Sequence, residues 1–459
     1  MRVSLINIPN TRRNAGGQVV QVGPQAGSRW PFLGMVPGCY APAPFFMLFA
    51  ASYLQAYGVE VDVLDFVAMG KWQPWEWNFE AIKSRPDIVC YEMSMPVRAD
   101  VLSEAETMKS LGKTVVLCGP HCASEGEQLA ALPYVDHVII GEYEIPLLKI
   151  CRGDKTKLFR YEHVDNLDTA NGQPWHPYRD MALIDQYYEP TIDTPKTQLT
   201  VSTSRGCAWH CHYCQWQKVM NNKTYRTRSV ETVMDEIASA IAASKRTVRM
   251  LGHTWMTMKN RPDDSVEVRS ILFDDDTWNL GGPKRINAMC AGLKRIGLPW
   301  SMMGRLDAHA PELFDTMVDA GAVAFRFGVE TFHQPSLDLT GGRRNAVRQY
   351  ESAKHILTRF SGLEVHFTSM RHMGGHTAEA IARDDAMFQE LETIGAIHGN
   401  KVHRQCSSMM PFPGTDIYEE MRAAGHGDLL GRADYNGTGC DEALNAAVRE
   451  FVPLSVKGK

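Results

Sequence analysis

The feature that most limits what this chain can become is a β/α alternation that runs twice. From the start to about Cys151, short β-branched runs alternate with helical stretches, at Val3 to Ile8, Val59 to Phe66, Ile88 to Tyr91, Val115 to Cys118 and Val138 to Ile140. Runs of this length between helices predict an α/β domain with a doubly wound parallel sheet, Rossmann-like. Phe45 to Tyr57 reads as a helix closed by Gly58, and Ser124 with Glu127 three residues on reads as a capping box opening another. Ligands of such open sheets sit beyond the carboxyl ends of the strands, so Pro9 to Asn14, Ser94 to Val97 and Gly119 to Cys122 are expected to share a ligand-facing rim.

Residues 152–195 are rich in Asp, Pro, Asn and Gly without sustained periodicity, and read as a linker running over the surface between domains. A second alternation follows, with strands expected near Gln198 to Thr203, Val268 to Phe273, Trp300 to Gly304, Val323 to Glu330, Leu363 to Met370 and Lys401 to Ser408. Six such units fit a partial (β/α)6 barrel of the TIM type over 196–410. Ser229 and Glu231 open one of its helices, and the polar stretch Gly252 to Ser265 reads as an insertion before the second barrel strand. The tail, 411–459, reads as helix and loop.

Composition sets the class. At 459 residues the chain exceeds one small core, and its hydrophobic (44%) and charged (22%) fractions are those of a soluble globular protein. A formal net charge of -5 gives no basic footprint for nucleic acid, so a small-molecule substrate is the more natural expectation. The longest apolar segment, Pro44 to Tyr57, is shorter than the roughly 20 residues that span a bilayer, and no export signal is read at the start. Eleven cysteines, an odd number in a large chain, point to a reducing compartment, the cytoplasm by default.

Directly after the first barrel strand comes Ser204-Arg205-Gly206-Cys207-Ala208-Trp209-His210-Cys211-His212-Tyr213-Cys214, a Cys-x3-Cys-x2-Cys spacing. Barrel enzymes keep their chemistry at the carboxyl ends of the strands, where this loop falls. Three soft thiolates on one short loop suit three irons of a cubane 4Fe-4S cluster, leaving the fourth iron open to another ligand. The competing readings are core cysteines, or a zinc site completed by His210 or His212; zinc sites usually pair two distant two-ligand knuckles, and no second knuckle appears. Cys39, Cys90, Cys118, Cys122, Cys151, Cys290, Cys406 and Cys440 read as small hydrophobes.

With these residues the chain resembles the radical S-adenosylmethionine enzymes, in the subgroup with an amino-terminal cobalamin-binding domain. Beyond the cysteines the resemblance rests on Ala43-Pro44, Gly119-Pro120-His121, Gly141-Glu142, Phe273 to Asp276, Gly328-Val329-Glu330 and Pro411-Phe412-Pro413-Gly414-Thr415, in that order. It implies that Cys207, Cys211 and Cys214 hold the cluster, whose open iron binds S-adenosylmethionine, and that electron transfer splits a carbon-sulfur bond to give a 5'-deoxyadenosyl radical. Tyr213 matches an aromatic position near the adenine, or packs the loop. Asp274, Asp275 and Asp276 are assigned to the ammonium end of S-adenosylmethionine, Arg305 to its carboxylate and Glu330 to its ribose hydroxyls; the alternative for Arg305 and Glu330 is a barrel-interior ion pair. Gly328 would permit close backbone approach, or mark a bulge.

For the first domain the resemblance implies cobalamin against the carboxyl edge of the sheet, contacted at Gly119 and His121 unless these are ordinary βα-turn residues. The Asp-x-His-x-x-Gly pattern that supplies a histidine to cobalt is absent, since Asp307-Ala308-His309 continues as Ala310-Pro311 in the other domain. The implied activity is methyl transfer to an unactivated carbon, with an electron donor such as flavodoxin or ferredoxin. Radical cyclisation, rearrangement or oxidation on the same two domains is the alternative; methylthio transfer to tRNA and a cobalamin or metal sensor fit less well. No side chain is assigned to the chemical step itself.

Overall fold

The computed structural model describes residues 1–13, 19–22, 35–36, 43–181, 183–187, 194–195, 197–216, 224–246, 266–432 and 441–451. The polar stretch 252–265, Asn14, Cys39 and Cys440 lie outside them. The first domain is built on β1 (Arg2–Asn7), β2 (Glu60–Asp65), β3 (Ile88–Glu92), β4 (Thr114–Cys118) and β5 (His137–Ile140), with β6 (Leu158–Arg160) at its edge. All pair in parallel in the order β2-β1-β3-β4-β5-β6, which places the switch in strand order between β1 and β3.

The side-chain alternation of a strand explains how the sheet is covered on both faces. On β3, Ile88 and Cys90 enter a core shared with α1 (Phe45–Ala56) and α5 (Glu144–Cys151). Val89 and Tyr91 enter the opposite core, against α2 (Pro74–Lys83), α3 (Arg98–Ser110) and α4 (Cys122–Ala130). Gly58 takes φ +79° just past α1 and donates its N–H to the Gln55 carbonyl, the left-handed ending expected of that helix.

Two local expectations differ. Helix α4 starts at Cys122, not Ser124, and the Ser124 hydroxyl bonds back to the His121 carbonyl at 2.8 Å instead of capping. The capping box of this domain is at Gln73 and Glu76, before α2. The segment 152–195 is also no surface run: it supplies β6, a small hairpin (Thr169–Ala170 with Gln173–Pro174), and Trp175. Trp175 is 2% exposed and donates its indole N–H to Ser52 Oγ at 3.0 Å, so this stretch completes the first core.

The second domain contains β7 (Gln198–Val201), β8 (Ser270–Phe273), β9 (Trp300–Gly304), β10 (Ala322–Glu330), β11 (Glu364–Arg371) and β12 (Lys401–Ser408). They pair in parallel in chain order, an open six-stranded barrel wall. Along β10 the alternation sorts the two faces: Phe325 and Phe327 pack outward on Phe314, while Arg326, Gly328 and Glu330 line an interior cavity. The tail adds α-helices Asp416–Ala423 and Glu442–Glu450, which pack on Met373 and Met409 and reach back to the cysteine loop, where Ile417 N–H meets the His212 carbonyl at 3.2 Å.

Phe325 has no exposed surface, whereas Trp75 on α2 is 70% exposed. Phe325→Ala should therefore cost about 3–5 kcal/mol in denaturant unfolding, and Trp75→Ala less than about 0.5 kcal/mol. A pH dependence follows from Glu92, whose carboxyl burial pushes up to about 7 despite the Tyr143 hydroxyl donating to it at 2.9 Å. A carboxyl raised in the folded state stabilises fully below its ordinary value of 4.5 and loses that contribution as pH climbs through 7. Glu92→Gln should raise the melting temperature at pH 8 and leave a smaller or reversed difference at pH 5; an equal shift at both would refute the assignment.

Candidate active site at the barrel mouth

The cysteine loop leaves β7 and is fixed at once. Asp275, fully buried after β8, accepts the Thr203 N–H at 3.0 Å and hydroxyl at 2.9 Å and the Ser204 hydroxyl at 2.5 Å. Of the three adjacent carboxylates, Asp275 thus anchors the loop, while Asp276 lines the cavity and Asp274 does not. The assignment of Asp275 to a ligand ammonium is corrected on this geometry, because its oxygens are taken up by the loop it holds. Its parity with Ile271 and Phe273, which pack with Phe325 and Phe327 in the core between strands and helices, carries the side chain away from the cavity.

Cys207, Cys211 and Cys214 all line the cavity, with Tyr213 and Trp209 from the same loop. Burial pushes the Cys207 and Cys211 thiols up, although Arg344 and Arg305 draw Cys211 the other way. Neither His210, which is exposed, nor His212 lines the cavity. His212 is buried in backbone contacts, its N–H on the Thr340 carbonyl at 2.9 Å, and burial holds its imidazole down at about 4. Among the described residues no three His, Cys, Asp or Glu side chains converge on a single-ion position. Three soft sulfurs spread around one cavity fit an iron-sulfur cluster, which takes one thiolate per iron, and do not fit a zinc tetrahedron.

The segment Thr340–Arg344, which no periodicity marks, is the second support. A Cβ on Gly342 would stand 2.6 Å from Cys211 Sγ, and one on Gly341 2.9 Å from the His210 carbonyl oxygen. Arg305 donates to the Gly342 carbonyl at 2.9 Å, forms a two-pronged pair with Asp307 at 2.9 Å on each arm, and lies 4.4 Å over the Trp209 ring. Arg344 donates to the Gly328 carbonyl and to Glu330 at 3.1 Å. Arg305 and Glu330 are therefore each ion-paired inside the barrel, but with Asp307 and Arg344 and not with each other.

At Gly328 the bulge reading has a counterpart in the strand pairing. The β10–β11 register shifts between Gly328 and Glu330, and a Cβ on Gly328 would come 3.0 Å from Glu330 Oε1. Glu330 itself holds φ +66°, a left-handed conformation costly for a side-chain-bearing residue. Asp384 fixes that corner by accepting the Phe332 N–H at 3.1 Å and the Thr331 hydroxyl. Tyr213 lines the cavity and packs on the tail cluster.

At the rim of the first sheet, Gly119 has φ +102° and a Cβ there would stand 2.6 Å from the Met93 backbone, so only glycine fits. His121 is 4% exposed, its Nε2 3.4 Å from Glu125, and burial lowers its pKa. Its backbone N–H is taken by the Met93 carbonyl, and its carbonyl accepts from Ser124. At the end of β3, Ser94 Oγ and Glu92 Oε2 are buried without a hydrogen-bond partner among the described residues. Such orphaned atoms on a ligand-binding rim fit a large ligand rich in amides, as cobalamin is.

If Gly342 keeps Cys211 in place, Gly342→Ala should give a folded protein with unchanged circular dichroism whose iron content after anaerobic reconstitution falls well below one cluster per chain. Wild-type iron content in that variant would show that the close approach is not needed.

Comparison with known proteins agrees with this geometry. Residues 201–385 match the family model of the Radical SAM superfamily. The fold resembles the radical S-adenosylmethionine methyltransferase TsrM from Kitasatospora setae, solved with cobalamin and a [4Fe-4S] cluster: TM-score 0.63, 16% identity, covering 92% of this chain and 78% of that one. It also resembles the cobalamin-dependent S-adenosylmethionine radical enzyme OxsB, solved with aqua-cobalamin and S-adenosylmethionine: TM-score 0.62, 13% identity, covering 97% and 65%. In sequence, the cytidylyl-2-hydroxyethylphosphonate methyltransferase of Streptomyces wedmorensis is 25% identical over 266 residues, 52% of this chain but only 43% of that protein's length. Residues 201–385, which carry the three-cysteine loop, match the Radical SAM superfamily, and the sheet domain in front of them completes a two-domain fold similar to those of TsrM and OxsB.

Proposed function

We propose that this protein is a cobalamin-dependent radical S-adenosylmethionine methyltransferase acting on an unactivated carbon of a small molecule. The observation that carries the reading is that the thiols of Cys207, Cys211 and Cys214 line one cavity at the carboxyl end of the barrel, beside the carboxyl edge of the first sheet. The methyltransferases similar to it in sequence and fold support methyl transfer over other radical chemistry.

When bound, the cluster with S-adenosylmethionine supplies one-electron hydrogen abstraction, and cobalamin supplies the methyl group. The chain's own residues bind and orient. Cys207, Cys211 and Cys214 hold the cluster; Asp276 faces the ammonium of S-adenosylmethionine, Glu330 its ribose hydroxyls and Tyr213 its adenine. Arg305 keeps the proposed carboxylate role, with Arg344 beside it on the cavity wall; each is also held in the barrel, Arg305 by Asp307 and the Gly342 carbonyl and Arg344 by Glu330 and the Gly328 carbonyl. Asp274 has no ligand role in this reading. Ser94, Gly119 and His121 are the proposed cobalamin contacts. Iron-sulfur chemistry of this type calls for a reducing compartment, the cytoplasm, and an electron donor such as flavodoxin or ferredoxin. Among the described residues no helix is long and apolar enough to cross a membrane.

Anaerobic reconstitution with iron, sulfide and hydroxocobalamin, followed by methyl-labelled S-adenosylmethionine, tests this. The expected products are 5'-deoxyadenosine and S-adenosylhomocysteine, with 5'-deoxyadenosine abolished in Cys211→Ala. Cobalamin retention with 5'-deoxyadenosine but no S-adenosylhomocysteine would favour rearrangement or oxidation instead. Undiminished cleavage in Cys211→Ala would sink the reading.

A further inference from the structure

The loop that carries the thiols is fastened at both ends to the sheet domain, at its start to the turn into α5 and to α1, and at its end to α1. Arg205, two residues before Cys207, donates to Glu142 at 2.8 Å and to Glu144 at 2.7 Å. Both carboxylates sit on the turn from β5 into α5, and all three side chains are 6% exposed or less. The Arg205 guanidinium also lies 4.8 Å over Phe49 and 5.5 Å over Phe46 of α1. Arg226, on the short strand paired with Ser204–Arg205, donates to the same Glu142 carboxylate. Two residues past Cys214, Trp216 stacks on Phe46 with centroids 6.4 Å apart and planes at 11°.

A buried ion network of this kind is weak evidence for stability, since desolvation offsets most of the attraction; its best-attested use is to fix one geometry. Arginine suits that use, because its planar fork holds two acceptors at set angles where a lysine would act as a point charge. The turn it grips follows Gly141 at the carboxyl end of β5, on the same rim as Gly119 and Ser94. We propose that Arg205, held between Glu142 and Glu144, is a positioning residue that couples the ligand on the sheet rim to the cysteine loop. The inference rests on the cobalamin reading above and adds to it that the two cofactor sites are energetically linked. Linkage is reciprocal, so a loop ordered by its cluster must also favour the rim ligand.

The test is the affinity for hydroxocobalamin, measured by equilibrium binding on full-length protein without iron and after cluster reconstitution. Wild type should bind about tenfold more tightly with the cluster than without, within the usual range for coupled sites. In Arg205→Lys and in the milder Glu144→Gln, that ratio should fall to about one while iron content stays at the wild-type level; a purely structural role would weaken both affinities together and leave the ratio near ten. A ratio of one in wild type, or a wild-type ratio kept in both variants, overturns the coupling and leaves the cobalamin reading standing. A wild type that takes up no cobalamin overturns the reading and the coupling with it.

Discussion

Three thiols have to face one cavity from a loop that has almost no regular structure of its own, and most of the surrounding chain answers that constraint. A loop as short as Cys207 to Cys214 gains nothing from helix or sheet ladders, so its order comes from partners distant in sequence. Asp275 of the next strand ties down its start, Thr340 and Gly342 crowd its middle, and Ile417 from the tail takes the His212 carbonyl. The sheet domain holds both its ends. Elements separated by more than two hundred residues therefore meet on one short segment, which is why the tail packs back onto the barrel mouth and does not extend away.

The charges at the mouth are arranged to hold shape before any ligand arrives. Buried ions are stable only when paired and hydrogen-bonded. Arg305 meets that requirement with Asp307 and two loop carbonyls, and Arg344 meets it with Glu330 and the Gly328 carbonyl. The two cations flank Cys211 and oppose the effect of burial on its thiol. Metal binding requires thiolates, so nearby positive charge favours the ligating form. Asp276 lines the same cavity.

Much of this was legible in the sequence, for physical reasons that differ by element. Strands buried on both faces, such as β3 and β8, are continuous apolar runs that pattern alone places, whereas β6, three residues long, carries no pattern to detect. The cysteine spacing is local and needed no fold to be seen. What escaped was contact between distant segments. Arg344 and Gly342 lie on an irregular turn, where nothing in the neighbouring residues announces what they touch. Asp275 and Asp276 look alike in sequence, yet one residue of strand parity separates a loop anchor from a cavity wall. The approach of His121 to Glu125, one helical turn on, was likewise not marked by its sequence context. The interdomain fork at Arg205 was equally hidden, because its acceptors are more than sixty residues upstream.

The central claim is that Cys207, Cys211 and Cys214 hold a cluster with an open iron inside this cavity. The most direct measurement is electron paramagnetic resonance of the anaerobically reconstituted, reduced protein, recorded before and after adding S-adenosylmethionine. The account predicts the signal of a reduced [4Fe-4S] cluster whose g-values shift when S-adenosylmethionine binds. A reconstituted protein with no such signal, or one whose spectrum is indifferent to S-adenosylmethionine, would contradict it.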